Sequence, residues 1–212
     1  MASGCGWKLE EVARRGGALH IAGIDEVGRG PLFGPVVAAA VILPRGCRLP
    51  GLTDSKKLSE KKRCQLDVEI RGCALAWAIA AVDAETIDRI NIRRASLEAM
   101  RRAVEQLALG PYFLAPDFLL IDGRDTIQWE CPQRAVVQGD ALSVSIAAAS
   151  VLAKVHRDRL LVELDAVFPG YGLARHKGYC SPEHMEALAR LGPTPLHRKS
   201  FQPVAQSALR FD

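Results

Sequence analysis

Short apolar runs separated by segments of mixed polarity define the pattern of the chain. Five of these runs are predicted as strands, at residues 19–24, 36–43, 74–82, 118–121 and 135–138. The first three are apolar almost throughout, which is typical of strands that are covered on both faces. Helical patterns lie between and after the strands, so the expected fold class is α/β with helices around a central sheet.

Residues that cap a first helical turn mark several predicted helix starts. Ser59, Asp83 and Asn91 each precede a segment with a helical pattern, and their side chains can accept a hydrogen bond from the first turn. The segment after Asn91 carries an apolar stripe at helical spacing. Further helices are predicted within residues 1–17 and at residues 143–167 and 182–191.

The composition changes after residue 168, where Pro169 and Gly170 are followed by a glycine-containing segment and a proline-punctuated basic tail. Glycine and proline interrupt regular structure. We therefore predict three parts, namely an N-terminal helical extension at residues 1–17, a central α/β domain at residues 18–168 and a helical and loop-like C-terminal extension at residues 169–212.

Charge is mildly basic and unevenly distributed. The 212 residues are 49% hydrophobic and 25% charged, with a formal net charge of +4, and basic residues cluster at 56–63, 93–102, 175–177 and 197–199. Such clusters are most often solvated faces, so they permit a polyanionic partner without requiring one. Lys154, Arg157 and Asp158 are spaced for contact on one predicted helix and are expected to form an ion-pair set.

The spacing of the cysteines argues against a zinc-binding or redox protein, and the lengths of the apolar runs argue against a membrane protein. No two of the six cysteines have the two-residue spacing of a zinc or redox motif. The apolar runs are too short to span a bilayer, and the chain does not open on a secretory leader. We expect a cytoplasmic, reduced and monomeric protein without a membrane partner.

Acidic residues stand where predicted strands end. Asp25 and Glu26 follow the first strand, Asp122 follows the fourth and Asp140 follows the fifth. Carboxyl ends of strands often form the ligand-binding edge of an α/β sheet, and carboxylates gathered there repel one another unless a cation lies between them. Oxygen ligands suit Mg²⁺ or Mn²⁺, and two such ions about 3.5–4 Å apart can serve phosphoryl transfer. The pattern therefore predicts a divalent-metal site that acts on a phosphate ester.

Simpler roles remain open for single members of this set. Asp140 could cap the following helix, and Asp122 could belong to an ordinary turn. Asp25 and Glu26 are harder to explain by packing, because a buried strand seldom ends on two charges. The segment 28–30 either forms a tight turn or brings backbone N–H groups close to a phosphate or a sugar hydroxyl.

Longer stretches match a known family. The segments GIDEVGRGPLFGPVVAAAVIL, LTDSKKLSEKKR, VVQGDALSVSIAAASVLAKVHRDR and FPGYGLARHKGYCSPEH resemble those of bacterial ribonuclease HII, the type 2 ribonuclease H. The likeness covers roughly residues 20–204. DEVGRG and DSKKL are its most specific short motifs.

The resemblance implies an RNase H-like fold, with a central mixed five-stranded sheet flanked by helices and a C-terminal extension that contributes to substrate binding. It implies an endoribonuclease that cleaves the RNA strand of RNA/DNA hybrids. It also implies incision 5′ of single ribonucleotides in duplex DNA, by two-metal-ion hydrolysis with Mg²⁺ or Mn²⁺ that leaves 3′-hydroxyl and 5′-phosphate ends.

The resemblance also assigns roles to individual residues. The four catalytic metal ligands would be Asp25, Glu26, Asp122 and Asp140. Gly28, Arg29 and Gly30 would sense the ribose 2′-hydroxyl, which is the group that distinguishes a ribonucleotide from its deoxy neighbours. Lys56 would contact a phosphate near the scissile bond. Tyr179 would pack on the adjacent nucleotide, because an aromatic ring stacks on any base; without the resemblance it would be an ordinary surface or core tyrosine.

Four positions depart from the pattern of the family, namely Phe33, Arg124, Gln138 and His156, and the bulky Phe33 is expected to crowd the glycine loop.

Two other functions fit parts of the sequence. Another RNase H-like nuclease, such as a Holliday-junction resolvase or an integrase core, has no need to sense a 2′-hydroxyl. A non-catalytic nucleic-acid-binding module would suffer repulsion between its strand-end carboxylates and a polyanion unless cations screened them.

Overall fold

A five-stranded mixed sheet of order β3-β2-β1-β4-β5 forms the centre of the molecule. The structure is a computed structural model and describes residues 5–111 and 113–208. The strands are β1 (Ile21–Val27), β2 (Val36–Ile42), β3 (Ala76–Val82), β4 (Phe118–Asp122) and β5 (Gln133–Val136). β2 is antiparallel to both β1 and β3, whereas β4 is parallel to β1 and to β5. The predicted mixed sheet is confirmed.

All five strands differ from their predicted bounds at one end or both, and β4 ends on Asp122 itself instead of just before it. The largest differences are in β1 and β5. β1 continues to Val27, because its ladder with β2 extends to the pair Val27↔Val37. Asp25 and Glu26 therefore belong to the strand and do not merely follow it. β5 begins at Gln133 and ends at Val136, two residues before the predicted end.

Helices cover both faces of the sheet, and in the described residues they begin largely where the capping pattern predicts. They are α1 (Lys8–Arg15), α2 (Glu60–Cys73), α3 (Ala84–Ile90), α4 (Ile92–Leu109), α5 (Gly139–Leu142), α6 (Val144–Val167), α7 (Leu173–His176), α8 (Pro182–Leu191) and α9 (Gln202–Ala208). Ser59, Asp83 and Asn91 accept hydrogen bonds from the first turns of α2, α3 and α4 as predicted. No helix in these two stretches of chain is long and apolar enough to cross a membrane.

The sheet is enclosed between α4 on one face and α6 on the other. Ile24, Met100 and Leu107 belong to the core beneath α4, whereas Val37, Leu66 and Leu152 belong to the core beneath α6. α6 approaches β1 so closely that a Cβ on Gly23 would lie 2.1 Å from the backbone carbon of Ser145. Only glycine fits there, and the contact fixes α6 relative to the strand that carries Asp25 and Glu26.

The C-terminal extension contains more helix than its composition predicts. α9 lies in the basic tail, where prolines indicated an irregular segment; the tail folds because Val204 is buried together with Leu32 and Leu188. Residues 209–212, which complete the predicted extension, lie outside the described residues, as do residues 1–4 of the N-terminal one. The division at residues 17 and 168 stays a prediction.

Candidate active site

Three carboxylates meet at the carboxyl end of the parallel strands. Ligand oxygens of Asp25, Glu26 and Asp122 all lie within 4.8 Å of one another. The ladder between β1 and β4 ends at the pair Ile24↔Ile121, so these side chains stand just beyond the last pair. The strand order thus brings together residues almost 100 positions apart.

Hydrogen bonds hold two of these carboxylates, those of Asp25 and Asp122, in position. Oδ1 of Asp25 accepts from the backbone N–H of Glu26 at 2.7 Å, and the hydroxyl of Ser150 on α6 also bonds to Asp25. Oδ1 of Asp122 accepts from the N–H of Gly139 at 2.7 Å. A Cβ on Gly139 would lie 2.6 Å from Ile146 Cδ1, so glycine permits this close approach.

The cluster is short of positive charge. Burial, followed by the charges of Glu26 and Asp122, raises the pKa of Asp25 well above its ordinary value. Burial also raises the pKa of Glu26, although its Oε1 accepts from Arg29 at 3.0 Å. Among the residues that the structure describes, Glu26 Oε2 is buried without a hydrogen-bond partner. An orphaned carboxylate oxygen inside an acidic, oxygen-only donor set fits a hard divalent cation.

Asp140 stands beside the three clustered carboxylates and lies in the first turn of α5. Gln138 occupies the N-cap position, so the alternative of Asp140 as an N-cap is wrong. Burial raises the pKa of Asp140 to about 6, with further contributions from the nearby carboxylates of Asp54 and Asp122, while Lys56 opposes the rise. The DSKKL segment therefore reaches the acidic site, and its first residue, Asp54, is an acidic neighbour that the sequence pattern did not single out.

A buried pair of hydroxyls connects DSKKL to the carboxylates. Ser55 Oγ lies 2.7 Å from Ser150 Oγ, and Ser150 bonds to Asp25. Lys56 itself is exposed, which leaves its ammonium group available to a ligand. Neither serine was predicted as a site residue, because the two hydrogen-bonded residues lie 95 positions apart and no local pattern connects them.

The glycine loop and Tyr179 form one surface next to the carboxylates. Gly28 has a φ of 91°, a left-handed conformation that favours glycine. A Cβ on Gly30 would lie 3.7 Å from Cε1 of Tyr179. Tyr179 is 43% exposed, and Arg29 is exposed and paired with Glu26. We call Gly28, Arg29, Gly30 and Tyr179 the recognition surface.

Two expectations about neighbouring side chains are wrong. Phe33 does not crowd the glycine loop, because its side chain is fully buried and packs against Phe168 and His197. Arg157 takes no part in the predicted ion-pair set. Lys154 and Asp158 pair at 2.7 Å, whereas Arg157 donates to three backbone carbonyls.

A mixed sheet of this order, with three carboxylates at the ends of its central strands, is the arrangement with which the known proteins below are compared. The sequence profile of the family described as Ribonuclease HII matches residues 22–204. The chain belongs to the ribonuclease HII family.

Individual relatives agree with this family. The Ribonuclease HII of Geobacter metallireducens is 54% identical over 200 residues, which cover 94% of this chain and 92% of that protein. The Ribonuclease HII of Geobacter sulfurreducens is 54% identical over 200 residues, which cover 94% of this chain and 90% of that protein.

Solved structures of similar fold show the same architecture. The ribonuclease H2 from Pyrococcus horikoshii OT3 has a TM-score of 0.76 at 24% identity, over 91% of this chain and 99% of that one. Bst-RNase HIII in complex with Mn²⁺ has a TM-score of 0.67 at 22% identity, over 91% of this chain and 70% of that one. Membership of the ribonuclease HII family makes the chain a ribonuclease H, a hydrolase of the RNA strand in RNA/DNA hybrids.

Proposed function

We propose that the enzyme also incises duplex DNA on the 5′ side of a single embedded ribonucleotide. The closeness of the two segments, which would place a Cβ on Gly30 at 3.7 Å from Cε1 of Tyr179 beside the carboxylates, is the observation that carries this proposal. It gives one surface with backbone polar groups for a 2′-hydroxyl and a ring face for the next nucleotide. A nuclease that read only the A-form shape of a long hybrid would have no need of so local a device.

The proposed metal ligands are Asp25, Glu26, Asp122 and Asp140. The partnerless Oε2 of Glu26 and the raised pKa values of Asp25 and Asp140 suit a bound cation. When bound, a pair of Mg²⁺ or Mn²⁺ ions would supply neutralisation of the charge that develops on the attacking and departing oxygens. The hydrogen bonds from Gly139 and Ser150 hold two of the ligands in place beforehand.

Water is the only co-reactant that hydrolysis consumes. Its oxygen bonds to phosphorus as the bond to the 3′-oxygen breaks, and a proton passes to the departing oxygen, which leaves a 3′-hydroxyl and a 5′-phosphate. Lys56 is assigned to a phosphate near the scissile bond, because it is exposed and close enough to Asp140 to affect its pKa. Contacts to phosphates by this and other basic side chains would give affinity without base preference.

An embedded-ribonucleotide assay tests the proposal. The purified protein with Mg²⁺ or Mn²⁺ is given a duplex that contains one ribonucleotide, a matched all-DNA duplex and an all-DNA four-way junction. We expect one incision 5′ of the ribonucleotide and none in the other two substrates. Efficient junction cleavage beside an uncut ribonucleotide would instead favour a resolvase, and binding without any cleavage would favour a non-catalytic module.

Replacing Tyr179 by alanine should slow incision at the single ribonucleotide. The loss of base stacking is expected to cost about 1–3 kcal/mol, or about 5- to 150-fold in kcat/KM. Tyr179→Phe is the matched control, because it keeps the ring and should remain close to wild type. Equal rates for the alanine and phenylalanine variants would remove Tyr179 from the recognition surface.

Further assignments follow the same line. We propose the cytoplasm as the place of action, a monomer as the working unit and removal of ribonucleotides from DNA as the cellular use. The C-terminal extension is assigned to substrate binding, since it supplies Tyr179.

A further inference from the structure

We propose that two buried arginines, Arg157 and Arg198, are positioning residues that hold the recognition surface in the geometry needed to read a single ribonucleotide. The proposal rests on the proposed function, because that function is what gives the surface its task. The family resemblance assigns neither arginine a role, and the ion-pair role that the sequence pattern assigned to Arg157 is wrong. Each donates hydrogen bonds to backbone carbonyls, and both side chains are fully buried.

Arg198 holds the glycine loop directly. Its Nη2 donates to the carbonyl of Gly28 at 2.6 Å and its Nη1 to that of Arg29 at 3.0 Å. Its Nε donates to the carbonyl of Gly34 at 3.0 Å. Two of the three carbonyls therefore belong to the loop itself, and the third fixes the chain just after it.

Arg157 connects the glycine loop to the segment that carries Tyr179. Its Nε and Nη2 donate to the carbonyls of Pro35 and Phe33 at 3.1 and 3.0 Å, and its Nη1 donates to that of Lys177 at 3.0 Å. The backbone N–H of Leu32 adds a bond to the carbonyl of Gly178 at 2.8 Å. One side chain thus joins the chain just after the glycine loop to the chain just before Tyr179.

Glycines allow the two segments to pack this tightly. A Cβ on Gly28 would lie 2.3 Å from Arg157 Nε, and a Cβ on Gly178 would lie 2.9 Å from the carbonyl oxygen of Phe33. The first contact is with the arginine and the second is between the two segments. A shift of Arg157 would therefore be transmitted to both segments, and a shift of Arg198 would be transmitted to the glycine loop.

Burial of the two guanidinium charges is unfavourable, which argues that Arg157 and Arg198 do more than fill space in the core. Arg157 and Arg198 are both fully buried, and within the described stretches neither forms an ion pair. Burial lowers their pKa values to about 10 and about 9. Buried charges are usually paired with opposite charges, and locally unfavourable features are expected at functional sites. Backbone carbonyl oxygens compensate for the missing carboxylates here, and those of Gly28 and Arg29 belong to the glycine loop.

Lysine substitutions separate positioning from the presence of charge. Lysine keeps the positive charge but has a single nitrogen, which cannot reproduce the three-pronged geometry of the guanidinium. Arg157→Lys and Arg198→Lys are therefore the test variants. Tyr171→Phe is the matched control, because it removes a buried hydrogen bond to the Gly192 carbonyl within the same extension but does not touch the recognition surface.

The first readout is hydrogen exchange, which requires no substrate. We expect faster exchange at the amides of Leu32 and Gly34 in both lysine variants, because these amides bond to the carbonyls of Gly178 and Leu196. The amides of β1 should be unchanged, and Tyr171→Phe should leave Leu32 and Gly34 protected. Unchanged protection of both amides in both lysine variants would overturn the proposal.

The second readout is the ratio of kcat/KM on the embedded ribonucleotide to kcat/KM on a long RNA/DNA hybrid. A hybrid offers a 2′-hydroxyl in every register, whereas the embedded residue offers one, so misplacement of the surface should lower the ratio by about tenfold or more. General destabilisation lowers both rates together, as expected for Tyr171→Phe. An unchanged ratio in both lysine variants would overturn the proposal. If the wild-type enzyme left the embedded ribonucleotide uncut, the proposed function would fail, and the exchange result would still decide whether the arginines hold the loop.

Discussion

Replacement of Asp25 by asparagine is expected to abolish hydrolysis and, at the same time, to stabilise the metal-free protein. Burial and the charges of Glu26 and Asp122 raise the pKa of Asp25. A carboxyl group whose pKa is raised on folding destabilises the folded state when ionised, so stability from this group increases as the pH falls through its folded pKa. Asparagine is neutral and removes that penalty at pH 7.

Cleavage of a hybrid by Asp25→Asn should fall by about a thousandfold or more, the scale expected when charge stabilisation at the reacting phosphate is lost. Hybrid binding should persist, because the basic contacts remain. A gain of about 1 kcal/mol would raise the metal-free Tm by about 2–4 °C in a protein of this size. The melting temperature is measured with a chelator and again with Mn²⁺, which should stabilise the wild type more than the variant.

Asp67→Asn is the matched control for this prediction. Asp67 is also a buried carboxylate, but it is paired with Arg71 at 2.9 Å and with Arg159 at 3.4 Å. Its replacement should lower stability and leave the cleavage rate of the folded enzyme unchanged. A metal-free Asp25→Asn that melts below the wild type would contradict the idea that these carboxylates repel one another.

Replacement of Gly28 by alanine should lower incision at a single ribonucleotide more than replacement of Gly30, the other glycine of the loop. The new Cβ would lie 2.3 Å from Arg157 Nε, on a backbone with a φ of 91°. The left-handed conformation and the clash together should cost about 1–3 kcal/mol of stability. Displacement of the loop by about 1 Å can cost about a hundredfold in incision at a single ribonucleotide.

Gly46→Ala isolates the effect of the clash. Gly46 has a φ of 75°, and a Cβ there would meet nothing within 4 Å, so the control carries the backbone cost without the collision. Melting temperatures and kcat/KM on the embedded ribonucleotide are compared for both variants. If Gly28→Ala incised as well as Gly46→Ala, the close packing of the loop against Arg157 would not matter for recognition.

The convergence of Asp25, Glu26 and Asp122 could be predicted from the sequence because its signals are local. Apolar runs marked the strands, and the acidic residues at their ends follow directly from that pattern. Capping serines, aspartates and asparagines marked helix starts in the same local way. The roles proposed for Gly28 and Tyr179 came from the family resemblance and remain proposals.

The supports of the site were beyond prediction because they act over long distances in the chain. Helical spacing placed Arg157 in an ion-pair set. Its three true acceptors lie 20 to 124 positions away in the chain, so no local pattern indicates them. Phe33 was expected to crowd the loop because nothing local indicates that its ring turns towards Phe168 and His197. α9 was missed because the burial of Val204 against Leu32 outweighs the prolines near its start.

The bond from Arg198 to the carbonyl of Gly28 joins positions 170 residues apart, and this span has a consequence for synthesis on the ribosome. The strands that carry Asp25 and Asp122, and the helix that carries Ser150, have all been translated before residue 198 is added. Until then the main chain at Gly28 and Arg29 lacks two of its fixed hydrogen bonds. In the growing polypeptide, the elements that carry the proposed metal ligands are therefore translated before the arginine that fixes the proposed recognition surface.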